Sequence, residues 1–363
     1  MRAYINSYEC SSCVGNTQGL MESIYKQKTG INIDTLFIKN TPVGLGKMKY
    51  NDFFAVLHQV VRDVLKRSNL ENFDNTLLIV GSSVGGMQES ERHYFEDKDY
   101  KNIESSRHPI NVIADSLTQK FNFYSDRSIS TACTSSANAL LLAKRLINVG
   151  AYENILVVGA DALCYTTVCG FYALSVLSSN VCKPFDKDRD GMNVAEGVAA
   201  LLVQDRPTMN SVELSGAGAS SDAYHMTNPN PEAIGAMKSM NAALQDAKVL
   251  AKEVNYINAH GTGTIANDRV EALAIEKIFT NVYVSSTKAI TGHTLGAAAA
   301  IEAIISCEVI KRNIAPVQTN LLNSENKQIG ILQENKYEKI DCVMSNSFAF
   351  GGNNTSLIFQ RVE

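Results

Sequence analysis

The sequence predicts an α/β protein with a largely parallel sheet that helices cover on both faces. Runs of β-branched apolar residues alternate along the chain with helical patterns, and this alternation is typical of parallel strands joined through helices. A second observation is that one strand, small polar turn and helix occurs in each half of the chain. The 363 residues, of which 45% are hydrophobic, are enough for a sizeable core and for two units of similar size.

Each predicted element follows from its local pattern. Short apolar runs predict buried strands, and longer helical patterns lie between them. In chain order, the strands are 76–81, 128–131, 154–159, 197–203, 254–258, 282–285, 340–346 and 355–360, and the helices are 52–67, 135–149, 232–247, 268–279 and 295–311. The best internal boundary is the polar stretch 204–208, which divides the chain into residues 1–207 and 208–363.

A repeat crosses this boundary. In the first half, the strand at 128–131 leads through Ala132–Ser136 into a helix of small residues. In the second half, the strand at 282–285 leads through Thr291–Gly296 into an Ala-rich helix. Small residues allow other elements to approach the ends of these helices closely. The repeat therefore suggests that one α/β unit is duplicated and that both helix ends meet at a central site.

Composition excludes several classes of function. The chain has 33 Lys and Arg against 37 Asp and Glu, a net charge of −4, which argues against a nucleic-acid binder that relies on bulk positive charge. Charges such as Lys144, Arg145 and Glu302 interrupt the long apolar runs, so none reaches the length of a membrane helix. The N-terminus lacks the apolar segment of a signal peptide. A cytoplasmic protein is the resulting expectation.

The cysteines do not predict a disulfide framework or a metal site. A chain of this length does not need disulfide bonds for stability. Cys10 and Cys13 form one CxxC motif, but a zinc ribbon needs a second pair, so we expect no metal. A redox pair remains an open alternative for these two residues. The eight cysteines are Cys10, Cys13, Cys133, Cys164, Cys169, Cys182, Cys307 and Cys342.

Cys133 is the first candidate catalytic residue. It lies in the segment TACTSSA, at a predicted turn from strand to helix. A helix N-terminus lowers the pKa of a thiol through its dipole and unpaired N–H groups. The resulting thiolate is a nucleophile, and the same N–H groups can hold an oxyanion. A buried structural cysteine is the alternative that this pattern leaves open.

His260 follows a predicted strand directly, in the segment NAHGTGT. Because open α/β sheets bind ligands at the C-terminal ends of their strands, His260 is a candidate base or hydrogen-bond donor. The glycines allow close backbone approach, and Thr262 and Thr264 offer hydroxyls to a polar ligand. The alternative is a core histidine before a flexible turn.

Lys288 and His293 lie in a second such stretch, STKAITGH. A lysine buried there needs a carboxylate partner, or it supports developing negative charge. Glu302 interrupts the following apolar helix and is the first candidate partner. A lysine that faces solvent on the turn is the alternative.

Two aromatic residues near the C-terminus, Phe348 and Phe350, flank Ala349 and precede Gly351 and Gly352. Aromatic residues and glycine on a loop are typical of a mobile gate. A β-turn between the two last strands explains the same pattern equally well.

Together these motifs resemble those of the β-ketoacyl-acyl-carrier-protein synthases. The resemblance is to the KAS II type of the thiolase superfamily, which is also related to the ketosynthase domains of polyketide synthases. The motifs occur in the family's order from about residue 75 to the C-terminus. They are TACTSS, KPFDKDRDG, SSDAYHMT, NAHGTGT, STKAITGH and FAFGGNN.

The resemblance implies a thiolase fold, with two duplicated α/β halves in a five-layered αβαβα arrangement, and a dimer. It implies an acyltransferase that elongates a fatty acid, polyene or polyketide chain by two carbons. The partner is an acyl carrier protein, which brings acyl and malonyl groups on its phosphopantetheine arm; neither nucleic acid nor a membrane is expected. The enzyme itself needs no cofactor, although a structural monovalent cation near Asn258, Glu302 and Asn346 is conceivable by family likeness.

The resemblance also implies roles for single residues. Cys133 would hold the acyl group as a thioester, and its N–H and that of Phe350 would form the oxyanion hole. His260 and His293 would stabilise the enolate that forms when the malonyl group loses CO₂. Lys288 would organise the site, with Glu302 as its partner, and Phe350 would be the gate. Thr262 and Thr264 would hydrogen-bond the phosphopantetheine arm, and Met192 and Phe348 would line the substrate pocket.

The chain departs from the family pattern in places. Residues 1–17 lack the usual apolar strand and Gly-rich turn, and Ala349 and Asn353 stand where Gly and Thr are usual. We expect Ala349 to stiffen the gate. Met192 stands where Phe is common, which suggests a pocket for an unusual acyl chain, for example a polyene. Candidate docking residues for the acidic carrier protein are Lys47, Lys49, Arg107 and His108.

Neighbouring classes of function remain to be separated from this one. Degradative thiolases resemble a Cys-His-Cys site and initiating synthases a Cys-His-Asn site, and His293 argues against both. Chain-length factors pair with ketosynthases and typically lack the nucleophilic cysteine, so Cys133 argues for an active enzyme. A subunit of a ketosynthase and chain-length-factor heterodimer is the remaining alternative.

Overall fold

The computed structural model describes residues 1–50, 52–99, 101, 103–325 and 328–362. The five predicted helices lie within three residues of their predicted bounds at each end. The helices are α1 (Thr17–Tyr25), α2 (Phe53–Arg67), α3 (Met87–Asp97), α4 (Asn111–Phe121), α5 (Ser135–Asn148), α6 (Tyr165–Ala173), α7 (Ile234–Ala247), α8 (Ile265–Ile278), α9 (Lys288–Thr291) and α10 (Ala298–Arg312), with 3₁₀ turns at Ser105–Arg107, Ala251–Glu253 and Leu295–Ala297.

The strands include all those predicted and several that were not. They are β1 (Tyr4–Ser12), β2 (Gly15–Asn16), β3 (Ile31–Ile38), β4 (Thr41–Gly46), β5 (Leu77–Gly81), β6 (Ser125–Ile129), β7 (Asn154–Asp161), β8 (Val194–Ala195), β9 (Gly197–Gln204), β10 (Val212–Ser221), β11 (Tyr256–Asn258), β12 (Tyr283–Ser285), β13 (Ile314–Ala315), β14 (Gly330–Ile331), β15 (Lys336–Tyr337), β16 (Cys342–Phe348) and β17 (Asn353–Arg361).

The main strands form two halves with the same topology. In the first half the order is β6-β5-β7-β9-β1, and in the second it is β12-β11-β16-β17-β10, with β14 beyond β12. In each half the first three strands pair parallel to one another, and the fourth and fifth strands each pair antiparallel with the strand before them. The two halves join through a short antiparallel pairing of β1 with β10. The predicted duplication is therefore present in the strand order itself.

Helices α5 and α10 lie between the two halves of the sheet. Helix α10 contacts β7 and β9 of the first half and β16 and β17 of the second, while α2 and α4 pack on the outer face of the first half and α7 on that of the second. Helix α10 is apolar on nearly all sides, as expected of a helix that packs between two sheets. The result is the five-layered αβαβα arrangement that the sequence motifs imply. Residues 1–207 and 208–363 as separate domains remain a prediction, since α5 and α10 pack on each other across that division.

The N-terminal segment differs from the prediction, because its polar sequence forms β1 near the middle of the sheet. Glu9 is 3% exposed. Its carboxylate pairs with Arg67 of α2 at 2.7 Å and accepts the backbone N–H groups of Cys10 and Thr17 at 2.9 Å. On the same strand, the Tyr8 hydroxyl donates to Glu308 of α10 at 2.5 Å. Polar groups in a central strand are tolerated here because each has a partner.

No helix in the described part of the chain is both long enough and apolar enough to cross a membrane. The cysteines of that part are all free thiols, Cys10 and Cys13 included. The Cys10 sulfur contacts the Thr17 hydroxyl at 3.5 Å, and the Cys13 sulfur contacts the carbonyl oxygen of Thr291 at 3.3 Å.

Candidate active site

Cys133 lies on a tight turn between β6 and α5. Ala132, just before it, has a φ of +52°, a left-handed conformation that is uncommon for a residue with a side chain. The Ser135 hydroxyl holds this turn, since it donates to the Ala132 carbonyl at 2.6 Å and accepts the Thr131 N–H at 3.0 Å. The turn brings Cys133 to the lining of a cavity. Strained backbone supported in this way is common at functional sites.

The two predicted histidines come from the second half and face the same cavity. His260 follows β11, and His293 lies between α9 and the 3₁₀ turn that precedes α10. Their ring centroids are 5.2 Å apart, and the rings are nearly perpendicular, at 87°. Both histidines line the cavity together with Cys133. The structure thus brings together the three side chains that the sequence motifs single out.

Each imidazole has a hydrogen-bond partner on Nδ1. The Lys288 ammonium lies 3.4 Å from His260 Nδ1, and the backbone N–H of Leu295 donates to His293 Nδ1 at 3.2 Å. A nitrogen that accepts a hydrogen bond carries no proton, so both neutral rings carry their proton on Nε2. Each histidine can therefore act as a neutral N–H donor through Nε2.

The predicted pair of Lys288 and Glu302 is present and almost completely buried, with side chains 1% and 4% exposed. The Lys288 ammonium donates to Glu302 Oε1. Burial raises the pKa of Glu302, and the Lys288 charge opposes that rise. Lys288 therefore lies between an anion and His260, and its charge also acts on the pKa values of His293 and Cys133.

Both histidines are neutral because of their surroundings. Burial holds the pKa of His260 well below its usual range, and the charge of Lys288 lowers it further. Burial and Lys288 act in the same way on the pKa of His293. At neutral pH, each ring is an uncharged donor that is almost fully buried.

The Cys133 thiol differs from the expectation that a helix N-terminus lowers its pKa. Burial raises the pKa of Cys133 to about 11, although the Lys288 charge and the backbone N–H groups of Cys133 and Phe350 act to lower it. Desolvation exceeds the helix effect because Cys133 is buried in the folded chain. The same two N–H groups lie against the sulfur, where the predicted oxyanion hole would be.

Two buried carboxylates beneath the His260 loop were not predicted as site residues. Glu271 of α8 accepts the N–H groups of His260 and Gly261, both at 2.8 Å, and burial raises its pKa to about 7. Asp268, one turn earlier, accepts the N–H groups of Phe185 and Gly263. Their three-residue spacing on one helix, in front of a Gly-rich loop, is the sequence signal that could have identified them.

The aromatic loop connects β16 to β17 and closes one side of the cavity. Phe350 contacts Phe171 of α6, with ring centroids 6.0 Å apart. The loop is held to the segment 222–226, because Gly351 N–H donates to Met226 O and Asp222 N–H donates to Gly352 O, both at 2.7 Å. Ala349 has no positive φ, so its side chain strains nothing in this conformation. Whether Ala349 stiffens an opening movement stays a prediction.

The cavity has a volume of about 340 Å³, within the range of small-molecule sites. Its lining includes apolar side chains, among them Phe171, Val176 and Met192, and polar groups of the segments 225–229 and 262–267. The hydroxyls of Thr262 and Thr264 lie 2.9 Å apart. The predicted pocket residues Met192, Phe348, Thr262 and Thr264 all line this cavity.

Only part of the residues suggested for a cation site have side-chain atoms without a hydrogen-bond partner in the described structure. Both side-chain polar atoms of Asn258 and Oε2 of Glu302 are buried without a hydrogen-bond partner in the described structure. Such orphaned oxygens are suitable ligands for a monovalent cation or an ordered water. The Asn346 side chain, in contrast, donates to Glu271 at 3.1 Å and accepts from Ser356 at 2.8 Å.

The candidate docking residues lie outside this cavity. Lys47 pairs with Asp34 at 2.5 Å, and His108 Nδ1 lies 2.9 Å from the Ser90 hydroxyl. Arg107 lines a separate, more open groove between α2, α3 and α4. Lys49 and Arg107 are exposed. None of the four lines the cavity of Cys133.

Comparison with known proteins agrees with the geometry. Residues 16–208 match the family description "Beta-ketoacyl synthase, N-terminal domain", and residues 212–322 match "Beta-ketoacyl synthase, C-terminal domain". The 3-oxoacyl-[acyl-carrier-protein] synthase 2 of Coxiella burnetii is 37% identical over 343 residues, which cover 86% of this chain and 83% of that protein. The protein of the same name from Rhizobium meliloti is 34% identical, over 79% of this chain and 74% of its own length.

Solved structures of related proteins share the fold over the whole chain. The ketosynthase ApeO in complex with its chain length factor ApeC, from Xenorhabdus doucetiae, gives a TM-score of 0.89 and 30% identity over 99% of this chain and 98% of its own. A beta-ketoacyl synthase from Burkholderia phymatum gives a TM-score of 0.90 and 26% identity over the full length of both chains. With matched sequence, fold and clustered site residues, the chain belongs to the beta-ketoacyl synthase family.

Proposed function

We propose that this chain catalyses the decarboxylative Claisen condensation of malonyl-acyl-carrier protein with an acyl chain held on Cys133. The product is a β-ketoacyl chain two carbons longer. The observation that carries the proposal is that one thiol and two neutral imidazoles from opposite halves line a single cavity. The 3-oxoacyl-acyl-carrier-protein synthases among the relatives support it.

The first step transfers the acyl group to the enzyme. The Cys133 sulfur attacks the thioester carbonyl of the acyl-carrier protein, and the bond to the phosphopantetheine sulfur breaks. The thiol proton of Cys133 ends on the departing phosphopantetheine thiol, so the exchange is neutral overall. N–H groups of Cys133 and Phe350 stabilise the oxyanion of the tetrahedral intermediate. Because burial raises the pKa of Cys133 to about 11, proton loss accompanies the attack rather than preceding it.

The second step forms the carbon–carbon bond. The malonyl carboxylate leaves as CO₂, and its bonding electron pair becomes an enolate on the thioester. The Nε2–H groups of His260 and His293 stabilise the negative charge on the enolate oxygen. The enolate carbon then attacks the acyl carbonyl on Cys133, the C–S bond breaks, and the Cys133 sulfur takes up one proton. Neutral donors suit this step, because a protonated imidazole would transfer its proton and quench the carbanion.

The carrier protein supplies the phosphopantetheine arm, and the polar groups that line the cavity suit it. Thr262 and Thr264 are among them, and their hydroxyls would bond the amide groups of the arm. Lys288 organises the site through His260, with Glu302 as its partner. A monovalent cation at Asn258 and Glu302 would neutralise buried oxygens and would take no part in the chemistry. Phe350 is proposed to move when Cys133 is acylated.

The acyl chain is proposed to be one of secondary metabolism, such as a polyene. The apolar wall at Met192 supports an unusual chain, and one structural relative at 30% identity is a ketosynthase with its chain length factor. A panel of acyl-carrier substrates tests this by comparing kcat/KM values. Preference for ordinary saturated chains would overturn it.

The active form is proposed to be a dimer, either of this chain or with a paralogous chain-length factor. Strand β6 is the last strand of the sheet among the described residues, so one of its edges is open to pairing. Ser128→Pro on β6 removes a backbone donor and disrupts this edge. A dimer by light scattering that becomes monomeric in this variant supports the proposal. A purified chain that is monomeric and fully active would contradict it.

The enzymatic test uses half-reactions on purified protein. Acyl-carrier protein should add one acyl mass to the enzyme, and malonyl-carrier protein should then remove it as β-ketoacyl product. Cys133→Ala should abolish the first signal, whereas Cys169→Ala, which removes another thiol, should retain both. His260→Ala and His293→Ala should permit acylation and block condensation. Unchanged condensation by Cys133→Ala would refute the proposed nucleophile.

A further inference from the structure

Asp161 is a buried carboxylate that the proposed mechanism does not use. It ends β7, is 0% exposed, and burial raises its pKa to about 6. It also raises the pKa of Cys133 by its negative charge. A group that opposes ionisation of the nucleophile needs another reason for its place near the site.

The contacts of Asp161 connect the two halves of the molecule. Oδ1 accepts the Ser82 hydroxyl at 2.6 Å and the Val84 N–H at 3.0 Å, and Ser83 N–H is shared between both carboxylate oxygens. These three donors follow β5 of the first half. Oδ2 accepts the N–H of Gly296, from the second half, at 2.6 Å. Oδ1 therefore contacts the first half alone, whereas Oδ2 contacts both halves.

The contact with Gly296 lies next to the residue that orients His293. Leu295 precedes Gly296 and has a φ of +53°, which is unfavourable for a residue with a Cβ. In this conformation the Leu295 N–H donates to His293 Nδ1, 3.2 Å away, and the Gly296 N–H donates to Asp161. The backbone of His293 itself is fixed separately, by hydrogen bonds to Asn193 and Ala195.

We infer that Asp161 is a positioning residue for His293. Its carboxylate holds the strained turn at Leu295 and Gly296, and this turn fixes the Nε2–H tautomer and the orientation of the His293 ring. The role rests on the proposed function, because it matters only if His293 stabilises the enolate. If the contact of Asp161 with Gly296 were merely structural, its loss would affect both half-reactions alike. A positioning role for His293 affects condensation alone.

Asp161→Asn tests the inference at the right atom. The asparagine amide has one acceptor oxygen. If this oxygen takes the position of Oδ1, it still accepts the three donors from the first half, and the NH₂ group then faces the Gly296 N–H. With folded protein, we expect the chase of acyl-enzyme by malonyl-carrier protein to slow by about 10- to 100-fold, the effect of a small misplacement of a reacting group. Acylation of Cys133 should not slow, because the variant removes a charge that raises the pKa of Cys133.

Ser82→Ala is the matched control, since it removes a donor from Oδ1 and leaves the contact of Oδ2 with Gly296 intact. Both half-reactions should keep their wild-type rates in this variant. Equal slowing of both half-reactions in Asp161→Asn, or slowing of condensation in Ser82→Ala to the same extent, would overturn the inference. Failure of wild-type enzyme to acquire an acyl group would instead overturn the proposed function.

A measurement on the wild-type enzyme covers the case in which Asp161→Asn does not fold. Nitrogen-15 NMR of histidine-labelled protein, with His293 assigned from the spectrum of His293→Asn, reports which ring nitrogen carries the proton. The Nε2–H tautomer alone is expected. A ring with its proton on Nδ1, or an equal mixture of tautomers, would overturn the inference.

Discussion

Lys288 shows how one buried charge supports both stability and chemistry. Its ammonium contacts Glu302 and His260, and its side chain is 1% exposed. Lys288→Met leaves the Glu302 carboxylate buried without its cation, so we expect a loss of about 3–5 kcal/mol in the free energy of unfolding. Denaturant titration measures this loss, and condensation should also be lost because His260 loses its Nδ1 partner.

The double variant Lys288→Met with Glu302→Leu separates the two effects. Replacement of a buried ion pair by apolar residues is often neutral for stability, so the free energy of unfolding should return close to the wild-type value. Condensation should remain absent. A double variant that regains activity would show that Lys288 does not act through His260.

The residues that the sequence identified have a local signal, whereas Asp161, which it missed, has none. Cys133, His260, Lys288 and Glu302 each interrupt an apolar or small-residue pattern. Asp161 ends an ordinary buried strand, and its importance arises from Gly296, 135 residues later. The pKa of Cys133 was predicted in the wrong direction for the same reason: the helix end is local, but the burial that raises the pKa comes from the fold around the residue.

Among the elements, β1 was the least predictable. Its sequence has no apolar alternation, and Glu9 would be costly in a central strand without a partner. The partner is Arg67, on a helix that begins more than forty residues later. The predicted strands and helices, in contrast, are those whose own patterns match burial on one or both sides, such as β7 and α10.

The attachment of the His260 loop to α8 predicts a pH effect on stability. Burial raises the pKa of Glu271 from 4.5 to about 7. The folded state therefore holds this proton up to about pH 7, whereas the unfolded chain releases it near pH 4.5. The free energy of unfolding should fall as pH rises between these values, with Glu271 contributing about 3 kcal/mol at 1.36 kcal/mol per pKa unit.

Glu271→Gln isolates this contribution, because the amide does not titrate. The variant is expected to be less stable at low pH, since its NH₂ faces a backbone N–H donor, but its stability should decline less between pH 5 and 7. Urea titrations across that range measure the two slopes. Equal slopes for the wild type and the variant would show that Glu271 titrates normally in the folded state.

The whole molecule depends on how closely its two halves approach. The duplication was predictable because each half repeats a strand, small polar turn and helix, whereas the fit of α5 against α10 depends on contacts between distant residues. Gly159 of β7 lies at that contact. A Cβ added there would lie 2.8 Å from the Ala300 side chain of α10 and 3.0 Å from the Ser136 side chain of α5.

Gly159→Ala therefore should push α5 and α10, the helices that follow Cys133 and His293, away from the sheet. We expect the free energy of unfolding to fall by about 1–3 kcal/mol, as in other overpacked cores, and condensation to slow by up to about 100-fold, because reacting groups from opposite halves lose their alignment. Gly170→Ala on α6 is the matched control, since no atom lies within 4 Å of its added Cβ. That variant should be as active as the wild type and slightly more stable, by about 0.5–1 kcal/mol.

Unfolding titrations and the condensation assay compare the two variants. If Gly159→Ala and Gly170→Ala have the same stability and the same condensation rate, the halves do not need this close contact to align Cys133 with the histidines.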